Sequence, residues 1–232
     1  MNKIGIIGAM ELEVATLKNN MLLKNSTKKA GMEFLEGTIS GVEVVVVKCG
    51  IGKVNAGMCV QILADCFAVT HVINTGVAGS LRAEINIGDI VISTNAVYHD
   101  MDVTVFGYQM GEVPQIGRQD FPADEKMQTL AKTSCEKVNP DIQVFTGRIV
   151  SGDQFISSKE IKERLIRTFD GLCTEMEGAA IAHAAYLNEI PFVIIRAISD
   201  KADDSAEEDY PTFEKKAAEH CARLIMDMVT VI

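Results

Sequence analysis

Three places in the chain put carboxylates where burial or a helix terminus can turn them into acids, bases or hydrogen-bond acceptors. Asp200 directly follows the apolar run VIIRAIS, Val193 to Ser199. A carboxyl at the end of a buried strand is desolvated, and desolvation lifts its pKa towards the range in which it donates a proton near neutrality. An isolated Asp more often caps a turn or helix. Here the acidic context SDKADD and the cation Arg196 within the run argue for more. An unpaired cation among apolar residues is costly, so Arg196 calls for an anionic partner or ligand. A second place is Cys173-Thr174-Glu175-Met176-Glu177-Gly178, where a short strand meets a helix. Strand alternation sends Glu175 and Glu177 to the same side, and the helix N-terminus favours an anion at Glu177. A carboxylate there can accept two hydrogen bonds from vicinal sugar hydroxyls; one cap and one solvated surface acid is the other reading. Third, Glu11 and Glu13 follow the first apolar run and its glycine turn. Acids are favoured in any first helical turn, so on their own these two mark only a helix start.

The elements that must position these groups alternate between strand and helix. Strands are expected at Lys3–Gly8, Met32–Ile39, Val42–Lys48, His71–Thr75, Asp89–Ser93, Ile142–Ser151, Cys173–Met176 and Pro191–Ser199. They are short, apolar and β-branched, and four of them end in Gly, Ser or Asp. Ser40-Gly41 is a hairpin turn between two of them. Helical spacing covers Glu11–Asn19, Val54–Phe67, Asp124–Val138, Lys159–Phe169, Glu177–Asn188 and Pro211–Val229. Residues 99 to 124 lack either period, and a loop that long is usually functional. The alternation predicts an α/β fold: one domain over residues 1–232, a three-layer sandwich with a mixed central sheet flanked by helices. Ligands bind such sheets beyond the carboxyl ends of the strands. Gly8, Gly76, Gly152-Asp153 and Ser199-Asp200 stand at those ends.

Composition excludes several classes. The net charge is -10, from 22 basic and 32 acidic side chains, with no Lys/Arg run to follow phosphates. Nucleic-acid binding is therefore not expected. The six cysteines form no CxxC, and neither they nor the four histidines have zinc spacing, so no metal site is expected. Unpaired thiols fit a reducing compartment. No apolar stretch reaches membrane-spanning length and the N-terminus lacks a signal h-region, so a cytoplasmic protein without membrane contact is expected. GIIGAM is half of a dinucleotide fingerprint and Gly50-Ile51-Gly52-Lys53 lacks a following Ser or Thr, which disfavours Rossmann and P-loop chemistry.

Eight motifs in order carry a resemblance over nearly the whole length: GIIGAMELEV, CGIGKVNAG, INTGVAG, GDIVIS, YHDMDVTVFGYQMGEVP, VSGDQFI, EMEGAAIAH and RAISDKAD. With them the chain resembles the 5′-methylthioadenosine/S-adenosylhomocysteine nucleosidases of the nucleoside phosphorylase superfamily. The resemblance implies a phosphorylase-like fold and hydrolysis of the bond between adenine and a 5′-thio-substituted ribose, with methylthioadenosine, S-adenosylhomocysteine or 5′-deoxyadenosine as substrate. It implies Asp200 as the acid that protonates adenine N7 and Glu13 as the base that activates water. Glu177 would hold the ribose hydroxyls, with Glu175 beside it, Met176 against the sugar and Arg196 near the water. Phe155 would stack on adenine, Ile156 would offer its backbone to the base edge, and Gly79 and Ser199 would line the site. Met10 and Ile51 would form parts of the 5′-thio pocket, and Tyr210 falls where the family usually has a phenylalanine lining the site. Val103, Phe106 and Pro114 would reach the site of a neighbouring subunit in a homodimer. Val77 stands where many relatives have serine, and valine cannot replace that hydrogen bond. Such chemistry needs two separated carboxyls and no cofactor. A phosphorylase, the alternative, would need cations grouped around phosphate, for which Lys53 and Arg82 are candidates. A non-catalytic nucleoside-binding protein would not need Glu13, Glu177 and Asp200 together.

Overall fold

Lys3–Gly8 (β1) lies in parallel register beside Val42–Lys48 (β4), Lys3 opposite Glu43 and Gly8 opposite Lys48. Helices cover both faces of this sheet, which is why its central strands read as unbroken apolar runs rather than alternating ones. Val45 and Val47 enter one buried cluster while Val44 and Val46 enter another on the opposite face. The computed structural model describes residues 2–232, the side chain of Glu208 excepted. Between β1 and β4 come α1 (Glu11–Asn20), β2 (Leu22–Lys29) and β3 (Met32–Ile39). After β4 come α2 (Lys53–Phe67), β5 (His71–Ser80), β6 (Ile90–Tyr98), a 3-10 turn at Thr104–Phe106, β7 (Asp120–Pro122), α3 (Glu125–Val138) and β8 (Val144–Ser151). The chain ends with α4 (Lys159–Phe169), β9 (Cys173–Glu175), α5 (Gly178–Leu187), β10 (Phe192–Asp200) and α6 (Ala206–Met228).

The sheet is mixed and flanked by helices, with α2 and α5 in the cluster on one face and α1, α3 and α6 in the cluster on the other. β1, β5 and β10 run parallel, so their carboxyl ends share one edge. Beyond them the sheet closes on itself. β10 pairs with both β5 and β6, β6 with β8, β8 with β9, and β9 returns to β5. That circuit draws the ends of β5, β9 and β10 around one space.

Several boundaries differ from those read in the sequence. β5 does not stop at Thr75 but runs through Gly76-Val77-Ala78-Gly79 to Ser80, because β10 supplies partners opposite Gly76, Val77, Ala78 and Gly79. Val91, Ile92 and the residues beyond Ser93 pair with β8, which extends β6 to Tyr98. α6 begins at Ala206 and carries Pro211 within it. The acids Glu207 and Asp209 sit in its opening turns, where the dipole favours them. β2 was not expected from the sequence, since its residues are almost all exposed and follow no period. It exists by pairing with β3 and, with Lys24, Lys28 and Lys29 around three polar positions, makes a sheet edge unfavourable to further strand addition. Asp124 caps α3 rather than lying in it, accepting from the Met127 N–H at 2.8 Å.

Candidate active site

Glu13 is the third residue of α1, and its buried carboxylate closes a capping box, which explains an acid at this position in local terms. Its Oε2 accepts from the N–H groups of Ala9 and Met10 at 2.7 and 2.9 Å. Its Oε1 reaches across to the N–H of Val77 on β5 at 3.1 Å. Burial pushes its pKa up, against the pull of Arg196 and the three backbone donors. β5 admits this carboxylate only because residue 76 is glycine. A Cβ there would stand 2.5 Å from Glu13 Oε1 and 2.6 Å from Arg196 Nη1.

Asp200 ends β10, buried. Its Oδ1 accepts from the Ala202 N–H at 2.8 Å, and its Oδ2 accepts from the Ser199 hydroxyl at 2.9 Å. Burial raises its pKa, and these bonds offset the rise only in part. Gly79 makes room for it, since a Cβ there would lie 2.7 Å from Asp200 Oδ1.

The anion required by Arg196 is Glu175. Arg196 Nη2 donates to Glu175 Oε2 and to Asn74 Oδ1, both at 2.5 Å, with all of these groups buried. Glu175 also accepts from the Ser151 hydroxyl and from the N–H groups of Glu177 and Gly178. Burial alone would raise its pKa, yet Arg196 and these donors hold it below the ordinary value. Its oxygens are thus committed to the protein. Glu177, at the N-cap of α5, differs: its Oε1 accepts from the Gly52 N–H at 2.8 Å. Among the described residues no donor engages its other oxygen. Burial, with the neighbouring charge of Glu175, pushes its pKa up to about 8.

These groups share one cavity of about 340 Å³, lined by Met10, Glu13, Ile51, Val77, Gly79 and Phe155, and by Glu175, Met176, Glu177, Ser199, Asp200 and Tyr210. Residues near the two ends of the chain therefore meet. Phe155 and Tyr210 form its mouth, their rings 5.7 Å apart and nearly perpendicular, and the Tyr210 hydroxyl donates to Met10 Sδ at 3.2 Å. Ile156 is buried just behind Phe155, on a smaller recess shared with Gly79 and Asp200. Arg196 lies behind the wall rather than in it. Val103, Phe106 and Pro114 line no part of the cavity; they belong to the long loop after β6, where Phe106 is 78% exposed.

Ala9, Ala78 and Thr174 also line the cavity, and Asn74 and Ser151 hold its charged groups, none of them singled out in the sequence; Gly76, placed there at a strand end, makes room for Glu13 and Arg196. For Gly76 the signal was present as a glycine in a strand-like run; for the others small size and burial gave none. Among the described residues no lysine, arginine or histidine lines the cavity. Lys53 is bound to Asp100 at 2.6 Å, and Arg82 to Asp170 and to the Gly171 carbonyl. Among the described residues no three His, Cys, Asp or Glu side chains converge as metal ligands.

Fold and site together define a member of the phosphorylase superfamily, whose family model matches residues 3–230. The 5′-methylthioadenosine/S-adenosylhomocysteine nucleosidase of Anoxybacillus flavithermus is 44% identical over 97% of each chain. The crystal structure of the nucleosidase from Neisseria meningitidis, in complex with methylthio-immucillin-A, superposes with a TM-score of 0.96 at 37% identity, covering 100% of each chain. That from Colwellia psychrerythraea, in complex with adenine, gives 0.95 at 39% identity over 99% of this chain and 95% of that one. The chain belongs to the 5′-methylthioadenosine/S-adenosylhomocysteine nucleosidase family.

Proposed function

We propose that the protein hydrolyses the N-glycosidic bond of 5′-methylthioadenosine and S-adenosylhomocysteine, releasing adenine and the 5′-thio-substituted ribose. One observation carries the choice of water over phosphate: among the described residues, four carboxylates and no cation line the cavity. An anionic nucleophile would be repelled there, and the cations a phosphorylase could use are paired elsewhere. Related enzymes bearing this name, and a neighbour holding a methylthio-substituted analogue, support the substrate class.

In this reading Asp200 donates a proton to N7 of the departing adenine, for which burial has raised its pKa. Glu13, on the other side of the scissile bond, takes a proton from water; its Oε1 is already oriented by the Val77 N–H, so the missing serine hydroxyl at residue 77 is not needed to orient Glu13. Arg196, neutralised by Glu175, lies close enough to moderate the rise in the Glu13 pKa. Glu177 accepts from the ribose hydroxyls with the oxygen the protein leaves free. Phe155 stacks on the base and Met10, Ile51 and Tyr210 surround the 5′-substituent. Each proton transfer supplies about 10²–10⁴ in rate. The products enter methionine salvage. A cytoplasmic location is supported by six unpaired cysteines. A homodimer is supported by Ile51, 54% exposed although it lines the cavity, and by the exposed Val54 and Met58 on the next turns of α2.

The test is adenine release from methylthioadenosine in phosphate-free buffer. Full turnover without phosphate is expected, with free 5′-methylthioribose as the second product. Strict dependence on phosphate, with a sugar 1-phosphate formed, would overturn the assignment of water.

A further inference from the structure

Two loops that carry cavity residues and the loop after β6 are tied together outside the cavity by one knot of charges. Asp100 Oδ2 accepts from Lys53 Nζ at 2.6 Å and from the Asp153 N–H at 2.9 Å. Asp153 Oδ1 in turn accepts from the Lys53 N–H at 2.9 Å, and its Oδ2 lies 3.7 Å from Lys53 Nζ. Each of the three residues thus touches the other two. Lys53 opens α2, whose own N-cap, Gly52, has no side chain; Asp153, 100 positions later, acts as the cap. Gly52 itself has φ of +95°, and a Cβ there would stand 3.0 Å from Asp153 Oδ1, so the close approach depends on glycine.

The consequence reaches the cavity on two sides. The Gly52 N–H, one residue before Lys53, is the donor to Glu177, and Ile51 before it lines the wall. Asp153 stands two residues before Phe155, and the turn between them is closed by the Gln154 N–H donating to the Gly152 carbonyl at 2.8 Å. Asp100 joins both loops to the end of β6. The geometry points to Lys53, Asp100 and Asp153 as a positioning triad that sets Phe155 and the Glu177 donor for the nucleoside, without touching it. This inference rests on the nucleosidase reading of the cavity.

A positioning role of this kind acts on binding, since neither Asp200 nor Glu13 is held by the knot. For Asp153→Ala, the KM for methylthioadenosine is expected to rise about 10-fold, the loss of a charged hydrogen bond, while kcat falls less than about 3-fold. Asp153→Asn keeps an acceptor for the Lys53 N–H and is expected to restore KM to within about 2-fold of the wild type. Asp100→Ala is expected to match Asp153→Ala, and the double variant to be no worse than either, because the residues act as a unit. Thermal melts establish that each variant folds; should Asp153→Ala not fold, Asp100→Ala carries the same comparison. An unchanged KM, a fall in kcat equal to that in kcat/KM, failure of Asp153→Asn to rescue, or additive losses would each overturn the triad. A wild-type protein that releases no adenine would sink the nucleosidase reading instead. The triad would then be judged by adenine binding in calorimetry, where the same loss of about 10-fold is expected.

Discussion

Three carboxylates line one cavity with their pKa values raised, and each can be tested by removing its charge. Burial is the leading cause in all three cases, so each group holds its proton to higher pH than an exposed carboxylate does. A base must be ionised and an acid protonated, so kcat/KM should follow a bell, falling at low pH as Glu13 gains a proton and at high pH as Asp200 loses one. Asp200→Asn should lower kcat by at least about 10²-fold while still binding nucleoside, and should abolish the alkaline limb of the profile. Glu13→Gln should do the same to the acid limb. A full-rate Asp200→Asn enzyme in steady-state assays would remove the proposed acid. Glu177 makes a different prediction, about stability. Its pKa in the folded protein is about 8, above that of the unfolded chain, so the fold favours its protonated form. Its contribution is complete below the unfolded pKa of about 4.3 and is lost as pH rises through the folded value. In the ligand-free protein, Glu177→Gln should therefore raise Tm at pH 9 by about 2–4 °C, or about 1 kcal/mol, and change it little at pH 5. Calorimetric scans at both pH values check this, and a gain at pH 5 alone would contradict it.

At the scale of elements, β5 and β10 do most to assemble the cavity. They are parallel neighbours with Arg196 opposite Gly76 and Asp200 opposite Gly79. Each glycine thus opens space beside a charged group on or near the neighbouring strand. Gly76→Ala should press on both Glu13 and Arg196, at 2.5 and 2.6 Å from the new Cβ. The strand can still form, with a destabilisation of about 1–3 kcal/mol from overpacking. Displacement of the base should lower kcat/KM up to about 10²-fold, as measured by adenine release. An alanine variant with wild-type kinetics would mean that Glu13 has no need of its place against β5. α1 contributes through its first turn alone, for Glu13 caps the helix with one oxygen and faces β5 with the other. The capping use and the catalytic use of this acid are compatible, because a carboxylate has two oxygens.

For the molecule as a whole, the closed circuit of β5, β9, β8, β6 and β10, with β1 in parallel register beside β5, brings residue 13 and residue 200 to one space. The cavity is not covered on all sides by this chain: Ile51 and Phe155, both about half exposed, leave apolar surface at its rim. With Val105 and Phe106 also exposed, a second copy is the proposed cover. Sedimentation or light scattering should give twice the mass of the 25.2 kDa chain. Phe106→Ser should raise KM for methylthioadenosine by about 10-fold, the cost of losing a buried aromatic contact, with kcat less affected. A monomer of full activity would exclude any contribution from a partner subunit.

Much of this was legible in the sequence. Apolar runs bounded by glycine and acids gave the alternation of strand and helix, because burial on both faces leaves that pattern in any sheet of this kind. Lys159–Phe169 was read to the residue, its amphipathic period needing no partner to define it. Asp200 and Arg196 announced themselves as charges at or within a buried strand. What the sequence did not contain was long-range pairing. β2 has no pattern and exists only against β3; β5 outlasts its apolar run only because β10 continues beside it. Whether Glu175 or Glu177 is free for a ligand was decided by Arg196, two strands away in space, and whether Lys53 is free for phosphate was decided by Asp100. A side chain's type can be read from one position, but its partner is chosen by the fold, and the partner fixes the charge it keeps and the chemistry left to it.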